Sequence, residues 1–136
     1  MSAARGFSLI ELVLVVALAA ILATLSLAGV RLQADRAKRQ EARIALLKLA
    51  AEQQLHFVRE GHYAADLIAL GSATATRLSA SGRYRLRVDS NTPSGFVLRA
   101  TLQVPGREQS RCAWLALDQS QRRTAGPLGS AECWFR

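Results

Sequence analysis

The sequence predicts an α+β fold in which a long N-terminal helix packs against a small antiparallel β-sheet. Three observations support this prediction. The segment Leu12–Val30 is an apolar run of 19 residues without an ionisable side chain. Between Arg31 and Glu60 there is no Gly or Pro, and apolar residues recur at spacings of three and four, as in a helix with one buried side. Two later runs alternate apolar and polar residues, which is typical of strands with one buried face.

The apolar run is long enough to span a membrane, because a helix of about 20 residues rises about 30 Å, the thickness of the bilayer core. A core helix of a small domain would present a polar face, and this run has none. A secretory signal peptide has an apolar centre of about 7 to 15 residues followed by a small-residue cleavage site, and the run departs from both features. We therefore predict a transmembrane helix rather than a secretory signal peptide.

The residues that open this run, GFSLIEL from Gly6 to Leu12 after the basic Arg5, resemble the leader-cleavage motif of type IV prepilins and the related pseudopilins. The resemblance implies that a prepilin peptidase cuts after Gly6 and methylates the new N-terminal Phe7. Residues 1–6 would then be the leader peptide, and residues 7–30 the transmembrane and assembly helix. A glycine before the cut lets the backbone take the extended conformation that a protease requires, without a side-chain clash.

Glu11 is the one carboxylate inside this apolar segment. A charge within the bilayer costs a few kcal/mol, so an acid at this position is expected to have a partner. The resemblance implies that it meets the N-terminal amine of a neighbouring subunit, here the amine of Phe7, for assembly. Such a pair would offset desolvation and fix the stacking register. The alternative is a side chain that reaches the interface one helical turn away.

Two signals oppose each other over the orientation of this helix. By the positive-inside rule the basic flank Arg31, Arg36, Lys38 and Arg39 would stay cytoplasmic, against Arg5 alone before the run. The prepilin motif instead requires a cytoplasmic leader, and two cysteines near the C-terminus suit an oxidising compartment. We follow the motif and expect a single-pass inner-membrane protein with a periplasmic C-terminal domain, which lies in the pilus at the cell surface after assembly.

Residues 31–136 are predicted to form the globular domain. Its helical half, residues 31–60, is expected to face the core with a stripe made of Ile44, Leu47, Ala51, Leu55 and Val58. Other apolar residues widen this face, namely Leu46, Leu49, Ala50 and Phe57. An αβ-loop follows over residues 61–82, and it begins at Gly61, which can take the left-handed conformation that ends helices.

The antiparallel sheet is predicted over residues 83–124. Its first two strands are RYRLRVD and FVLRATLQV, joined by the turn sequence SNTPSG; RCAWLALD and a short segment near QRRT complete it. If the apolar residues of the first two strands share one face, four arginines share the other: Arg83, Arg85, Arg87 and Arg99. With a formal net charge of +8, three interpretations stay open: a solvated basic face, a phosphate-binding patch for DNA, or a contact with an acidic neighbouring pilin.

Cys112 and Cys133 lie 21 positions apart near the C-terminus. In a periplasmic or extracellular protein an isolated pair is most simply a disulfide, and closing the loop 112–133 should stabilise the fold by about 3 kcal/mol. A metal is a poor alternative, because structural zinc takes four ligands. The pattern that closes on Cys133-Trp134 is similar to the end of minor type IV pilins, although many of those have a glycine where this chain has Gln121.

No residue pattern indicates catalysis, so we expect no enzyme, no cofactor and no metal site. The sequence has no Gly-rich phosphate loop, no His-Glu-x-x-His helix and no Gly-x-Ser-x-Gly elbow. The two histidines, His56 and His62, have no cysteine near them.

The resemblance implies a structural, minor subunit of a type IV pilus. Its partners would be other pilin subunits in a hetero-oligomeric filament, the prepilin peptidase, the inner-membrane assembly platform and membrane lipid. One alternative is a DNA-binding pilin of a competence or DNA-uptake pilus, with DNA as a further partner. The other is a type II secretion pseudopilin, which the Cys-Trp tail disfavours.

Overall fold

The structure, a computed structural model, describes residues 8–92, 94–104, 106 and 111–135, without the side chains of residues 25–32, 34, 35, 90 and 91. Its elements in chain order are α1 (Leu9–Glu60), β1 (Arg77–Leu78), β2 (Tyr84–Thr92), β3 (Gly95–Leu102), β4 (Ala113–Asp118), β5 (Arg123–Pro127) and α2 (Ser130–Phe135). Contacts within the chain divide it into two compact units, Met1–Asp35 and Arg36–Arg136.

Helix α1 has clear signals at both ends. The Ser8 carbonyl accepts hydrogen bonds from the backbone amides of Glu11 and Leu12, at 3.0 and 3.2 Å. At the other end Gly61 takes a φ of 76°, and its amide donates to the Phe57 carbonyl at 2.9 Å, as in a left-handed helix cap. The predicted single helix and its stop at Gly61 are therefore confirmed, whereas its predicted first residue, Phe7, lies outside the described residues.

The five described strands form one antiparallel sheet in the order β1-β2-β3-β4-β5. It extends beyond the predicted 83–124 at both ends, because β1 adds a two-residue edge strand and β5 continues to Pro127. The predicted turn over residues 90–95 is too long, since β2 runs to Thr92 and β3 begins at Gly95. A bulge between Val88 and Ser90 leaves Asp89 as an extra residue of β2.

The core of the second unit lies between α1 and one face of the sheet. The helix contributes Ala42, Leu46 and Leu49, all at most 1% exposed. The sheet contributes the alternate residues of its strands, among them Tyr84, Leu86, Leu98, Ala100, Leu115 and Leu117. The apolar alternation of β2 and β3 predicted this face correctly as far as Leu102. Val104 does not belong to it, because β3 has already ended and the Val104 side chain is 53% exposed.

The predicted core stripe of the helix is wrong. Its members are exposed, among them Ile44, Leu47, Leu55 and Val58 at 58%, 42%, 50% and 80%. The buried stripe consists instead of Ala42, Leu46, Leu49 and Gln53, at helical spacings of four and three. Leu46 and Leu49, which were expected only to widen the core face, are its centre.

The buried polar residue of this stripe, Gln53, fixes the αβ-loop to the helix. Its Nε2 donates to the Ala64 carbonyl at 3.0 Å, and its Oε1 accepts from the Ala64 amide at 2.9 Å. Both groups are buried, so each bond satisfies an atom that would otherwise lose its water. Farther along the loop, Arg77 donates to both carboxylate oxygens of Glu52 at 3.0 Å, which ties β1 to the same helix.

Candidate functional site

The N-terminal part of α1 exposes apolar side chains on every side. The exposed large apolar residues of this part are Leu9, Ile10, Leu12, Val13, Leu14, Val15, Val16, Leu18, Ile21 and Leu22. Glu11 lies in the first helical turn, whereas Gly6 and Phe7 lie outside the described residues. Within the described part of the chain, no helix meets both the length and the hydropathy of a membrane span.

At the opposite end of the chain, Cys112 and Cys133 form a disulfide with a Cα–Cα distance of 5.7 Å, as predicted. The bond joins the residue before β4 to α2, and both cysteines are buried. Two further contacts fix the tail: the Trp134 indole donates to the Thr124 carbonyl at 2.8 Å, and Arg43 of α1 donates to the Cys133 carbonyl at 2.7 Å. The C-terminal loop is therefore held to both the sheet and the helix.

A cluster of arginines and aromatic rings surrounds this tail, and the sequence analysis did not identify it. The Arg123 guanidinium lies 5.5 Å from the ring centroids of both Trp134 and Phe135. Burial, followed by the charges of Arg39 and Arg123, lowers the pKa of Arg43. Because these residues come from α1, β5 and α2, only the tertiary fold brings them together.

The turn between β4 and β5 is built on Asp118. Its carboxylate accepts from the Ser120 amide, the Ser120 hydroxyl and the Arg122 amide at 2.9, 2.7 and 2.8 Å. Burial raises the pKa of Asp118, but these hydrogen bonds and the Arg122 charge outweigh it and hold the pKa below its ordinary value. Gln121, where many minor pilins are expected to have a glycine, takes a φ of 62°, so it adopts the left-handed conformation that glycine would take at lower cost.

Of the four arginines singled out in the sequence, Arg85, Arg87 and Arg99 lie on the neighbouring strands β2 and β3, and Arg83 directly precedes β2. Arg83, Arg85 and Arg87 are exposed, and Arg99 is half-buried. Arg87 and Arg99 are directly opposite each other across β2 and β3, while Arg85 faces Thr101. The strand pairing therefore brings Arg85, Arg87 and Arg99 together on the face away from the core, as the alternation predicted, with the exposed Arg83 directly before β2.

Charge on this face is distributed differently from the expected crowding of four like charges. Asp89 lies between two of the arginines: its Oδ1 accepts from Arg87 Nη2 at 2.6 Å, and its Oδ2 accepts from Arg99 Nε at 2.9 Å and lies 2.7 Å from Arg99 Nη2. One carboxylate thus neutralises part of two guanidinium charges. Within the described residues Arg83 and Arg85 form no ion pair, although the charge of Arg83 contributes to lowering the pKa of Glu41.

Trp114 of β4 completes this face. The Arg99 guanidinium lies 4.4 Å from the centroid of the Trp114 ring. Gly126, the cross-strand partner of Trp114 on β5, leaves room for the indole: a Cβ at Gly126 would come within about 3 Å of three ring atoms. We use the term outer basic face for Arg83, Arg85, Arg87, Asp89, Arg99 and Trp114.

No group of three or more potential metal ligands occurs among the described side chains. His56 and His62 pack edge to face with ring centroids 5.5 Å apart, and the His62 Nδ1 is 3.0 Å from the Glu60 carbonyl oxygen.

The chain is similar to known proteins at two levels. Residues 31–116 match the family model described as type IV minor pilin ComP, DNA uptake sequence receptor. Residues 1–27 match the prokaryotic N-terminal methylation motif. No curated protein matches the chain. Among solved structures, a type IV pilin from Shewanella oneidensis is 22% identical with a TM-score of 0.45, over 65% of this chain and 89% of that one. Since the first model spans more than half of the sequence, the chain belongs to the ComP family of type IV minor pilins.

Proposed function

We propose that this minor pilin is the DNA-binding subunit of an uptake pilus and that the outer basic face contacts the DNA. The observation that carries the proposal is the convergence of Arg85, Arg87 and Arg99 on one solvent-facing side of β2 and β3, with the exposed Arg83 directly before β2. All four lie in the segment that matches a family described as a DNA uptake sequence receptor. Arginine side chains bind phosphate oxygens with charge-assisted hydrogen bonds.

Arg83 and Arg85 are the strongest candidates for phosphate contacts. Both are exposed, and neither is drawn into the ion pairs around Asp89. An exposed guanidinium on a flexible stem can follow the DNA backbone, which repeats without regard to sequence. The edge strand β1 is only two residues long and pairs with β2 next to Arg85, so this side of the sheet is not covered by a broad neighbouring strand.

The N-terminal region would place this face on a filament. We propose that the chain is cut after Gly6, that Phe7 is methylated, and that Glu11 pairs with the Phe7 amine of a neighbouring subunit after assembly from the inner membrane. The match of residues 1–27 to the N-terminal methylation motif supports the processing step. Mass spectrometry should find N-methylated Phe7 at the mature N-terminus, and Gly6→Val should leave the leader attached. A mature wild-type protein that retains Met1 would contradict this step.

The DNA proposal is tested by salt-dependent binding of the full-length chain, purified in detergent, to duplex DNA. Each phosphate contact should steepen the fall of log K with log salt by about 0.9. Reversing the charge of two exposed arginines together, Arg83→Glu and Arg85→Glu, should remove most of the affinity at low salt and about two contacts from the slope. The control is Arg59→Glu, an exposed arginine in the last turn of α1, which makes the same kind of charge change elsewhere.

Each outcome separates the three interpretations of the basic face. Loss of binding in the double variant with normal binding in Arg59→Glu supports a DNA contact on the outer basic face. Equal losses in both would mean that only net charge matters. No duplex binding by the wild type at low salt would refute the proposal and leave a solvated face or a contact with an acidic pilin. A contact with an acidic pilin would be recognised if the variant with Arg83→Glu and Arg85→Glu failed to enter filaments.

A further inference from the structure

We propose that Arg99 reads a base edge, and that Asp89 and Trp114 are positioning residues which hold it for that purpose. The inference rests on the proposed function and deepens it, because it divides the arginines into those that hold the DNA backbone and one that confers sequence preference. It is carried by the way the Arg99 side chain is fixed, which distinguishes it from Arg83 and Arg85.

The Asp89 carboxylate fixes one edge of the Arg99 guanidinium. Arg99 Nε donates to Asp89 Oδ2 at 2.9 Å, and Arg99 Nη2 forms an ion pair with the same oxygen at 2.7 Å. The other oxygen, Oδ1, is held by Arg87 at 2.6 Å, so the carboxylate itself is anchored from a second side. Rotation of the guanidinium within its own plane is therefore restrained.

Trp114 fixes the guanidinium from a different direction. The Arg99 Cζ atom lies 4.4 Å from the indole centroid, within the range of a cation–π contact. The indole cannot easily retreat, because Gly126 lies against it closely enough that even a Cβ there would collide. With the indole against one side and Asp89 at its Nε edge, Arg99 is only 27% exposed, compared with 52% for Arg87.

The remaining donors of Arg99 suit a base more than a phosphate backbone. A guanidinium has five N–H groups, and the Nε hydrogen bond to Asp89 leaves the four on Nη1 and Nη2. A fork of this kind can donate to the O6 and N7 atoms of guanine in the major groove, and such a contact requires a defined plane and direction. Phosphate binding has no such requirement, since an unrestrained arginine can reach phosphate oxygens from many directions.

The charge of Asp89 supports the same division. A carboxylate on a DNA-binding face repels the phosphate backbone, so it weakens binding that depends on charge alone. If Asp89 orients Arg99, its removal should have two effects of opposite sign: binding to any duplex becomes tighter, while the preference among sequences becomes smaller. A purely structural carboxylate would not separate these two quantities.

The experiment uses the full-length chain in detergent and a duplex library with a randomised central segment, from which wild-type protein selects bound sequences. The selected duplex and its scrambled version are then the two probes. We expect Asp89→Asn to lower the ratio of the two affinities about tenfold, as for the loss of one well-oriented base contact, and to tighten binding to the scrambled duplex. Trp114→Leu should lower the ratio of the two affinities without raising the affinity for the scrambled duplex, because it leaves the Asp89 carboxylate in place.

Two matched controls accompany these variants. Asp66→Asn makes the same charge change in the αβ-loop, where the carboxylate accepts from the Ala69 amide, and should leave the ratio unchanged. Arg85→Gln should lower the affinity for both duplexes by the same factor. Thermal unfolding of each variant establishes that the fold is retained.

The possible failures are distinguishable. If the wild type binds no duplex, the proposed function fails and the inference with it. If the wild type binds but selection yields no preferred sequence, or if Asp89→Asn keeps the full ratio, DNA binding stands and the positioning role of Asp89 is refuted.

Discussion

Residues 9–24 and 36–60 belong to the same helix, but their apolar side chains are used in different ways. The first stretch exposes large apolar residues on every side, interrupted by Glu11 alone among charged side chains. The second buries one stripe, centred on Leu46 and Leu49, against its own sheet. An amphipathic stretch can be satisfied within the chain, whereas one that is apolar all round requires lipid or other subunits. Substitutions in the first stretch should therefore affect assembly, and substitutions in the second should affect the stability of the fold.

The largest effect is expected from Glu11→Gln. If the Glu11 carboxylate pairs with a neighbour's N-terminal amine, the amide should abolish incorporation into filaments, because it keeps the shape of the side chain but removes its charge. Leader cleavage and the unfolding temperature of the globular part should not change. Quantification of the variant in sheared pili and in membranes measures both. Normal amounts in pili would favour the alternative in which Glu11 simply reaches the membrane interface.

In the second stretch, Leu46→Ala should lower the free energy of unfolding by about 3 kcal/mol, because a fully buried leucine leaves a cavity. Its neighbour Leu47, 42% exposed, provides the matched control, and Leu47→Ala should cost less than about 1 kcal/mol. Chemical denaturation of the two variants gives both values. Equal losses would mean that the helix packs through the stripe predicted from the sequence.

A smaller loss, about 2 kcal/mol, is expected from Gln53→Ala. This variant leaves the buried amide and carbonyl of Ala64 without the partners they have in the wild type. Gln54→Ala, at the exposed neighbouring position, removes only a long contact of 3.4 Å with the Tyr63 hydroxyl and serves as the control. Hydrogen exchange at the Ala64 amide provides a local measurement, and unchanged protection in Gln53→Ala would contradict the assigned role.

The smallest effect is a loss of stability in acid. Burial raises the pKa of Glu41, but hydrogen bonds from Ser79 and Ser81 and the Arg83 charge outweigh it, so the pKa lies below the ordinary 4.5. A carboxyl whose pKa is lower in the folded state stabilises the fold above its unfolded pKa, and this contribution is lost as pH falls through the folded value. Unfolding measured from neutral pH to below pH 4.5 should show a shallower decline in Glu41→Gln. An identical pH dependence would show that Glu41 does not contribute.

The features that the sequence predicted correctly are set by local chemistry. A stretch without Gly or Pro up to Gly61 fixes the helix and its end, and an isolated cysteine pair can form only one disulfide. The buried stripe could not be chosen in this way, because apolar residues occur on more than one side of residues 36–60. Its real members include the small Ala42 and the polar Gln53, which are recognisable only from the sheet and loop that cover them.

Part of the outer basic face was also within reach of sequence reasoning. Asp89 stands two positions after Arg87, and alternation alone puts the two on the same side of a strand. The same alternation that groups the arginines thus also places a carboxylate among them. The contact of Arg99 with Trp114 is different, since it depends on the pairing of β3 with β4, which no local pattern determines.

Gly126 shows how a residue without a side chain can constrain a binding surface. The Trp114 indole occupies the volume that any larger residue would take there. An alanine at position 126 would displace the indole that contacts Arg99. If the outer basic face contacts DNA as proposed, a substitution on β5 would thus alter that contact without replacing any of its arginines.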